Sequence, residues 1–88
     1  MTTESILSQF GSVTSVTINN LYTEYQVSFT IPPQYTGYNG RQLTSTKFAK
    51  DIRAQIRDQI GPHHIRTNTI LVFVGSDKMG KILCHIRR

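Results

Sequence analysis

The chain has 88 residues, enough for a single domain over residues 1–88 with a modest core, since a chain of this size buries about 60–65% of its unfolded surface. Hydrophobic residues make up 38% and charged residues 17%, which fits a folded protein and excludes a disordered one. The formal net charge is +5, and the single cysteine, Cys84, excludes an intrachain disulfide and a multi-cysteine zinc site.

The charge is one-sided. Residues 1–40 contain no lysine or arginine, only Glu4 and Glu24, and every cation lies from Arg41 onward, among Asp51, Asp58 and Asp77. Such segregation predicts a basic surface on the second half of the fold. No apolar run reaches the roughly 18 residues of a membrane helix, and MTTESILSQF lacks the basic start and long apolar stretch of a secretion signal. The expected setting is soluble and cytoplasmic, with no membrane partner.

Thr2-Thr3-Glu4 opens a short helical stretch, with Ile6, Leu7 and Phe10 at helical spacing over 5–10 and Gly11 as its stop. Val13 to Asn19 is β-branched and reads as a first strand, with Val16 and Ile18 on one face. After the turn from Asn19 to Thr23, the run from Glu24 to Ile31 alternates strictly. Tyr25, Val27, Phe29 and Ile31 form its buried face, and Glu24, Gln26, Ser28 and Thr30 its wet one. Pro32-Pro33 ends that strand, and a connector of two tyrosines and an Asn-Gly pair runs on to Leu43.

The segment from Thr44 to Gly61 is the main helix. Phe48, Ile52, Ile56 and Ile60 recur every fourth residue with Ala49 beside them, a narrow apolar arc suited to lying on a sheet. Thr44, Ser45 or Thr46 supplies the N-cap, and Gly61-Pro62 the stop. Lys50, Arg53 and Arg57 line one flank, although cations at 53 and 57 repel mildly across a helical turn. Beyond a turn-rich link, Thr69 to Gly75 is a continuous apolar run, predicted as the central strand covered on both faces. A turn from Ser76 to Gly80 leads to Lys81–Arg88, which alternates again with Ile82, Cys84 and Ile86 on one side. The predicted order is α-β-β-α-β-β: an α+β domain with a four-stranded antiparallel sheet and one main helix packed on one face.

Several patterns resemble signatures and depart from them. Gly75-Ser76-Asp77-Lys78-Met79-Gly80-Lys81 has the spacing of a phosphate-binding loop, which needs a Ser or Thr next for Mg²⁺ and then a helix; here Ile82 follows and a strand continues. Val72-Phe73-Val74-Gly75 resembles the shorter aromatic motif of RNA-recognition domains, but that motif lies on a first strand with a helix after it. Tyr22, then Tyr35-Thr36-Gly37 and Arg41, resemble the tyrosine-glycine nucleases only in part. The glycine and isoleucine before Tyr22 are missing, and Pro32-Pro33 stands where a strand should lead into the second motif.

Adjacent His63 and His64 do not readily point at one ion, and Cys84 and His85, neighbours on a strand, point to opposite faces. No metal site, cofactor or catalytic set is therefore predicted, and Cys84 reads as a small core residue. The expected role is a small, basic, non-enzymatic nucleic-acid-binding protein, for DNA or RNA. Its contacts would be the helix flank Lys50, Arg53 and Arg57, the C-terminal strand residues Lys81, His85, Arg87 and Arg88, and Arg66 with Phe73. Tyr35, Tyr38 and Arg41 would add loop contacts. For that role, folding must gather the later cations into one flat or concave positive area. The alternative is a protein-interaction module, an inhibitor, adaptor or viral or phage-type subunit acting by shape, with a protein partner or self-association as a homo-oligomer.

Overall fold

The computed structural model describes residues 2–38, 40–43, 46–66 and 70–88. Within them the four-residue apolar spacing forms α2 (Lys47–Ile60), which buries Ala49, Ile52 and Ile56 and half-buries Phe48 and Ile60. Thr46 is its N-cap: the hydroxyl accepts from the Ala49 N–H at 3.2 Å and donates to the Leu43 carbonyl at 2.6 Å. Thr44 and Ser45, the other candidate caps, lie outside the described residues. Gly61 ends the helix at φ +99°, a conformation that a side chain disfavours, and its N–H donates to the Arg57 carbonyl at 2.8 Å.

The strands are β1 (Ser12–Thr17), β2 (Tyr22–Phe29), β3 (Leu71–Val74) and β4 (Gly80–Arg87), and α1 (Thr3–Leu7) precedes them under a Thr2 cap. All three pairings are antiparallel and the spatial order is β1-β2-β4-β3. The fold is the α+β arrangement that the alternation predicts. One face of the sheet presents Val27, Val72, Val74, Ile82, Cys84 and Ile86 to α2, and together with Leu7, Leu43, Ile52 and Ile56 they make the core.

Strand position departs from the sequence reading at one point. The apolar run predicted as the central strand is an edge strand, β3, and β2 and β4 occupy the centre. The run is apolar for another reason. Val72 and Val74 enter the core, while Leu71 and Phe73 are half-shielded on the far face, and the strand's outer backbone is not left bare. The segment before α2 straps it. The Gly40 N–H donates to the Val74 carbonyl at 3.0 Å, the Val74 N–H to the Arg41 carbonyl at 2.9 Å, and the Leu43 N–H to the Val72 carbonyl at 2.7 Å. Thr69, the predicted start of this strand, lies outside the described residues.

The connector from Pro32 is ordered by a 3₁₀ turn at Pro33–Tyr38. The turn between β3 and β4 closes by Gly75 N–H to Met79 carbonyl at 2.9 Å, with Lys78 at φ +65°. A strand, not a helix, follows Gly80, so this loop lacks the helix N-terminus that holds phosphates in nucleotide-binding loops.

Candidate nucleic-acid interface

Side chains alternate along each strand, so the register fixes the membership of the face away from α2. In β2 and β4 those residues are Tyr22, Glu24, Gln26 and Ser28 opposite Arg87, His85, Leu83 and Lys81. Leu71 and Phe73 join them from β3, paired with Leu83 and Lys81. Among the described residues no helix packs on this face.

At one end, Phe73 lies beside Lys81. The Lys81 ammonium donates to the Asp77 carboxylate at 3.1 Å and to the Ser28 hydroxyl at 3.0 Å, so it is tethered and its side chain is only 18% exposed. The Met79 N–H, donating to the Asp77 carboxylate at 3.0 Å, and then the Lys81 ammonium hold that carboxyl below the usual carboxylate range. In the middle of the face, His85 Nε2 stands 3.1 Å from a Glu24 carboxylate oxygen across the β2–β4 pair.

The other end gathers three arginines, Arg66, Arg87 and Arg88, around Tyr22. Ile65 bridges to Ile86, and the Arg66 N–H donates to the His85 carbonyl at 3.0 Å, which lays the link after α2 alongside β4. From there the Arg66 guanidinium lies over the Tyr22 ring, 5.2 Å from its centroid, a cation–π distance. Arg87 is the cross-strand neighbour of Tyr22. Arg88 is fixed by its N–H to the Leu21 carbonyl at 2.9 Å and by its guanidinium to the Asn19 carbonyl at 3.3 Å. Arg87 and Arg88 line, with Tyr22, Leu21 and Asn20, a hollow of about 270 Å³. Among the described residues the two salt bridges are Lys81–Asp77 and His85–Glu24, and neither Arg87 nor Arg88 takes part in them.

The sequence-predicted contacts thus divide. Arg66, Phe73, Lys81, His85 and Arg87 share the open face, with Arg88 at its end. Lys50, Arg53 and Arg57 belong to α2, whose apolar side covers the opposite face, so the sheet separates the two groups. The single positive area expected from the one-sided charge does not form, because a helix flank and alternate strand residues face opposite ways once the helix docks. Arg41 lies farther off, on the strap along β3.

The loop tyrosines have a packing role. The Tyr35 ring sits 5.3 Å from Phe48, which itself lies 5.9 Å from Phe29, so Tyr35 closes the edge of the core instead of offering a free ring. Tyr38 is exposed and stands edge-on to Tyr35 at 5.7 Å. Tyr22 is the ring on this face that sequence reasoning missed. The signal was present: it continues the wet-face alternation of Glu24, Gln26 and Ser28 two residues back, but its place before the clear run assigned it to the turn.

Cys84 lies on the α2 side of β4, inside the core. Burial, then the Glu24 charge, pushes the Cys84 thiol up to about 12. Among the described residues no three His, Cys, Asp or Glu side chains are placed to hold a metal ion, and no helix is long and apolar enough to cross a membrane. On the helix side a groove of about 540 Å³ runs past Phe10, Phe29, Phe48 and Gln55, and among the described residues no charged side chain lines it. Comparison with protein-family models, with curated proteins and with solved structures finds no match for this chain.

Proposed function

We propose that this chain is a non-enzymatic binding module for single-stranded nucleic acid, and that its contact surface is the open sheet face. The observation that carries this reading is the gathering of Arg66, Arg87 and Arg88 around Tyr22 at one end of a face with no helix over it. Guanidinium groups present planar forks that match phosphate oxygens, and an aromatic ring beside them takes a base by stacking. Phe73 and Lys81 repeat the pairing of ring and cation about 20 Å away, the length of β4 from Lys81 to Arg87 at about 3.4 Å per residue. A flexible single strand reaches both ends; a stiff duplex has no groove-reading helix to meet here, since α2 is on the other layer.

Titration of fluorescent single-stranded DNA and RNA, and of duplexes, at several salt concentrations tests the reading. Neutralising three phosphates on a single strand gives a slope of log K against log salt of about −2. Tyr22→Ala and Phe73→Ala each weaken binding by about 1–3 kcal/mol, the usual value of one stacked base. Arg87→Ala flattens the slope by about 0.7, whereas Arg57→Ala on the helix layer leaves both affinity and slope unchanged. Binding that ignores salt, or that falls with Arg57→Ala and not with Arg87→Ala, removes this surface from consideration. The alternative role, interaction with protein, is favoured by a separate feature, the free edge of β1.

A further inference from the structure

The sheet has two edges, and they are treated differently. The β3 edge is strapped by the backbone of residues 40–43, and Ile65 and Arg66 continue that cover alongside β4. The β1 edge carries no such cover among the described residues. Ile18 donates its N–H to the Tyr22 carbonyl, so by the two-residue alternation of antiparallel ladders Ser12, Thr14 and Val16 turn their backbone groups toward β2. Val13, Ser15 and Thr17 turn theirs outward, to solvent. The strand reads SVTSVT, without charge or proline, the two devices that commonly blunt a free edge. Among the described residues, three of the four large hydrophobic side chains that the fold leaves exposed belong to this hairpin: Val16 at 62%, Ile18 at 42% and Leu21 at 66%.

We propose that β1 pairs antiparallel with β1 of a second copy of this chain, with Ser15 opposite Ser15 on the two-fold axis. Electrostatics selects the occupant. The molecule carries +5, so two copies repel wherever lysines and arginines face each other, and residues 1–40 have none. The neutral edge is where a copy approaches without that penalty. Register follows from symmetry. A two-fold axis normal to the sheet pairs residues of the same facing, so either Thr14 or Ser15 stands opposite itself. Centring on Ser15 joins Ser15 to Ser15 and Val13 to Thr17 and uses every outward N–H and C=O of the strand; centring on Thr14 leaves those of Thr17 outside the core of the ladder. On the open face the same register sets Val16 against Thr14 of the second copy, a β-branched cross-strand pair that shields an otherwise wet valine.

The strapped β3 edge makes the assembly stop at two. Each chain has one free edge, pairing consumes both, and the continuous sheet closes as a dimer instead of growing into a fibre. Tyr22 lies toward the Thr17 end of its hairpin, so the two arginine clusters come to opposite ends of the doubled sheet. The pairing stands on the edge geometry alone and does not require nucleic-acid binding.

The test is the mass of the full chain in solution by sedimentation equilibrium over a concentration series, with circular dichroism on each variant. The wild-type chain is expected at twice its 10.0 kDa mass. Ser15→Pro removes an outward N–H without touching the β2 ladder, and Ser15→Lys sets two like charges across the axis. Both are expected to shift the mass to that of one chain with the fold intact. Ser15→Cys is expected to cross-link under mild oxidation faster than Thr14→Cys, because only residues on the axis meet their own copies. A wild-type chain that stays monomeric at millimolar concentration overturns the proposal. So does a dimer that survives both Ser15→Pro and Ser15→Lys, and faster cross-linking at Thr14 overturns the register.

Discussion

The two faces of the sheet are built from the same strands and obey different rules. On the α2 side β4 presents Ile82, Cys84 and Ile86, all buried against α2 and its neighbours, and position is set by shape and exclusion of water. One residue along, Lys81, Leu83, His85 and Arg87 face away, and there polar contacts set position: Lys81 is held by Ser28 across the ladder and by Asp77 in the preceding turn, and His85 lies against Glu24. The first face holds the fold together. The second is released from that duty, which is why rings and cations can be placed on it.

The sharpest way to break this contrast is to shorten a side chain on each face. Ile56→Ala opens a cavity under α2 and is expected to cost about 2–5 kcal/mol, a large part of the about 5–15 kcal/mol available to a small domain. Leu83→Ala, on the half-shielded face, is expected to cost about 1 kcal/mol. Urea unfolding with a common slope measures both. Equal losses would mean that something covers the second face as firmly as α2 covers the first. Next in size comes Gly80→Ala. A Cβ at Gly80 would run into the Phe29 ring, which lies flat over that glycine and reaches on to Phe48. Overpacking of this kind costs about 1–3 kcal/mol. The same denaturation experiment checks it, and an unchanged midpoint would show that Phe29 is free to move aside.

The covered face was legible in the sequence because its signals are local. The four-residue spacing in α2 and the two-residue alternation in β2 and β4 gave the element types, the buried partners Ile52, Ile56, Val27 and Ile82, and the core place of Cys84. Strand order was not legible. A continuous apolar run such as ILVFV looks the same in a central strand and in an edge strand strapped by a neighbouring segment, and the strap of residues 40–43 has no pattern of its own. The candidate site was half legible. The alternation named Lys81, His85 and Arg87 together, but whether Lys50, Arg53 and Arg57 join them depends on which way the helix docks. Tyr22 and Arg66 meet only through the crossing of the link after α2 beside β4, a contact between residues far apart in the chain.

The anchoring of α2 gives a smaller effect that still separates the faces. Thr46→Ala removes the oxygen that accepts from the Ala49 N–H, a loss of about 1 kcal/mol for an N-cap, and Thr46→Ser is expected to restore most of it. Since the cap serves only the covered face, nucleic-acid binding by the folded protein is expected to be unaffected. A loss of affinity that tracks the loss of stability would tie the open face to helix docking.

The smallest expected effect lies at Asp77, and it sharpens the contrast from the other side. Its carboxyl is held below the usual range by the Met79 N–H and by Lys81. A lowered folded-state value means that the contribution to stability is fully present above the unfolded carboxylate value, about 3.9, and is lost as pH falls through the folded one. Asp77→Asn therefore flattens the acid limb of the stability profile slightly, because the exposed pair is screened by water. On the proposed surface it acts in the opposite sense. Lys81 loses the anion that tethers it, its ammonium becomes available to phosphate, and affinity for single strands is expected to rise as the salt slope steepens by up to about 0.7. A fall in affinity would reverse the role given to this pair: Asp77 would then be holding Lys81 in position for a ligand, not withholding it from one.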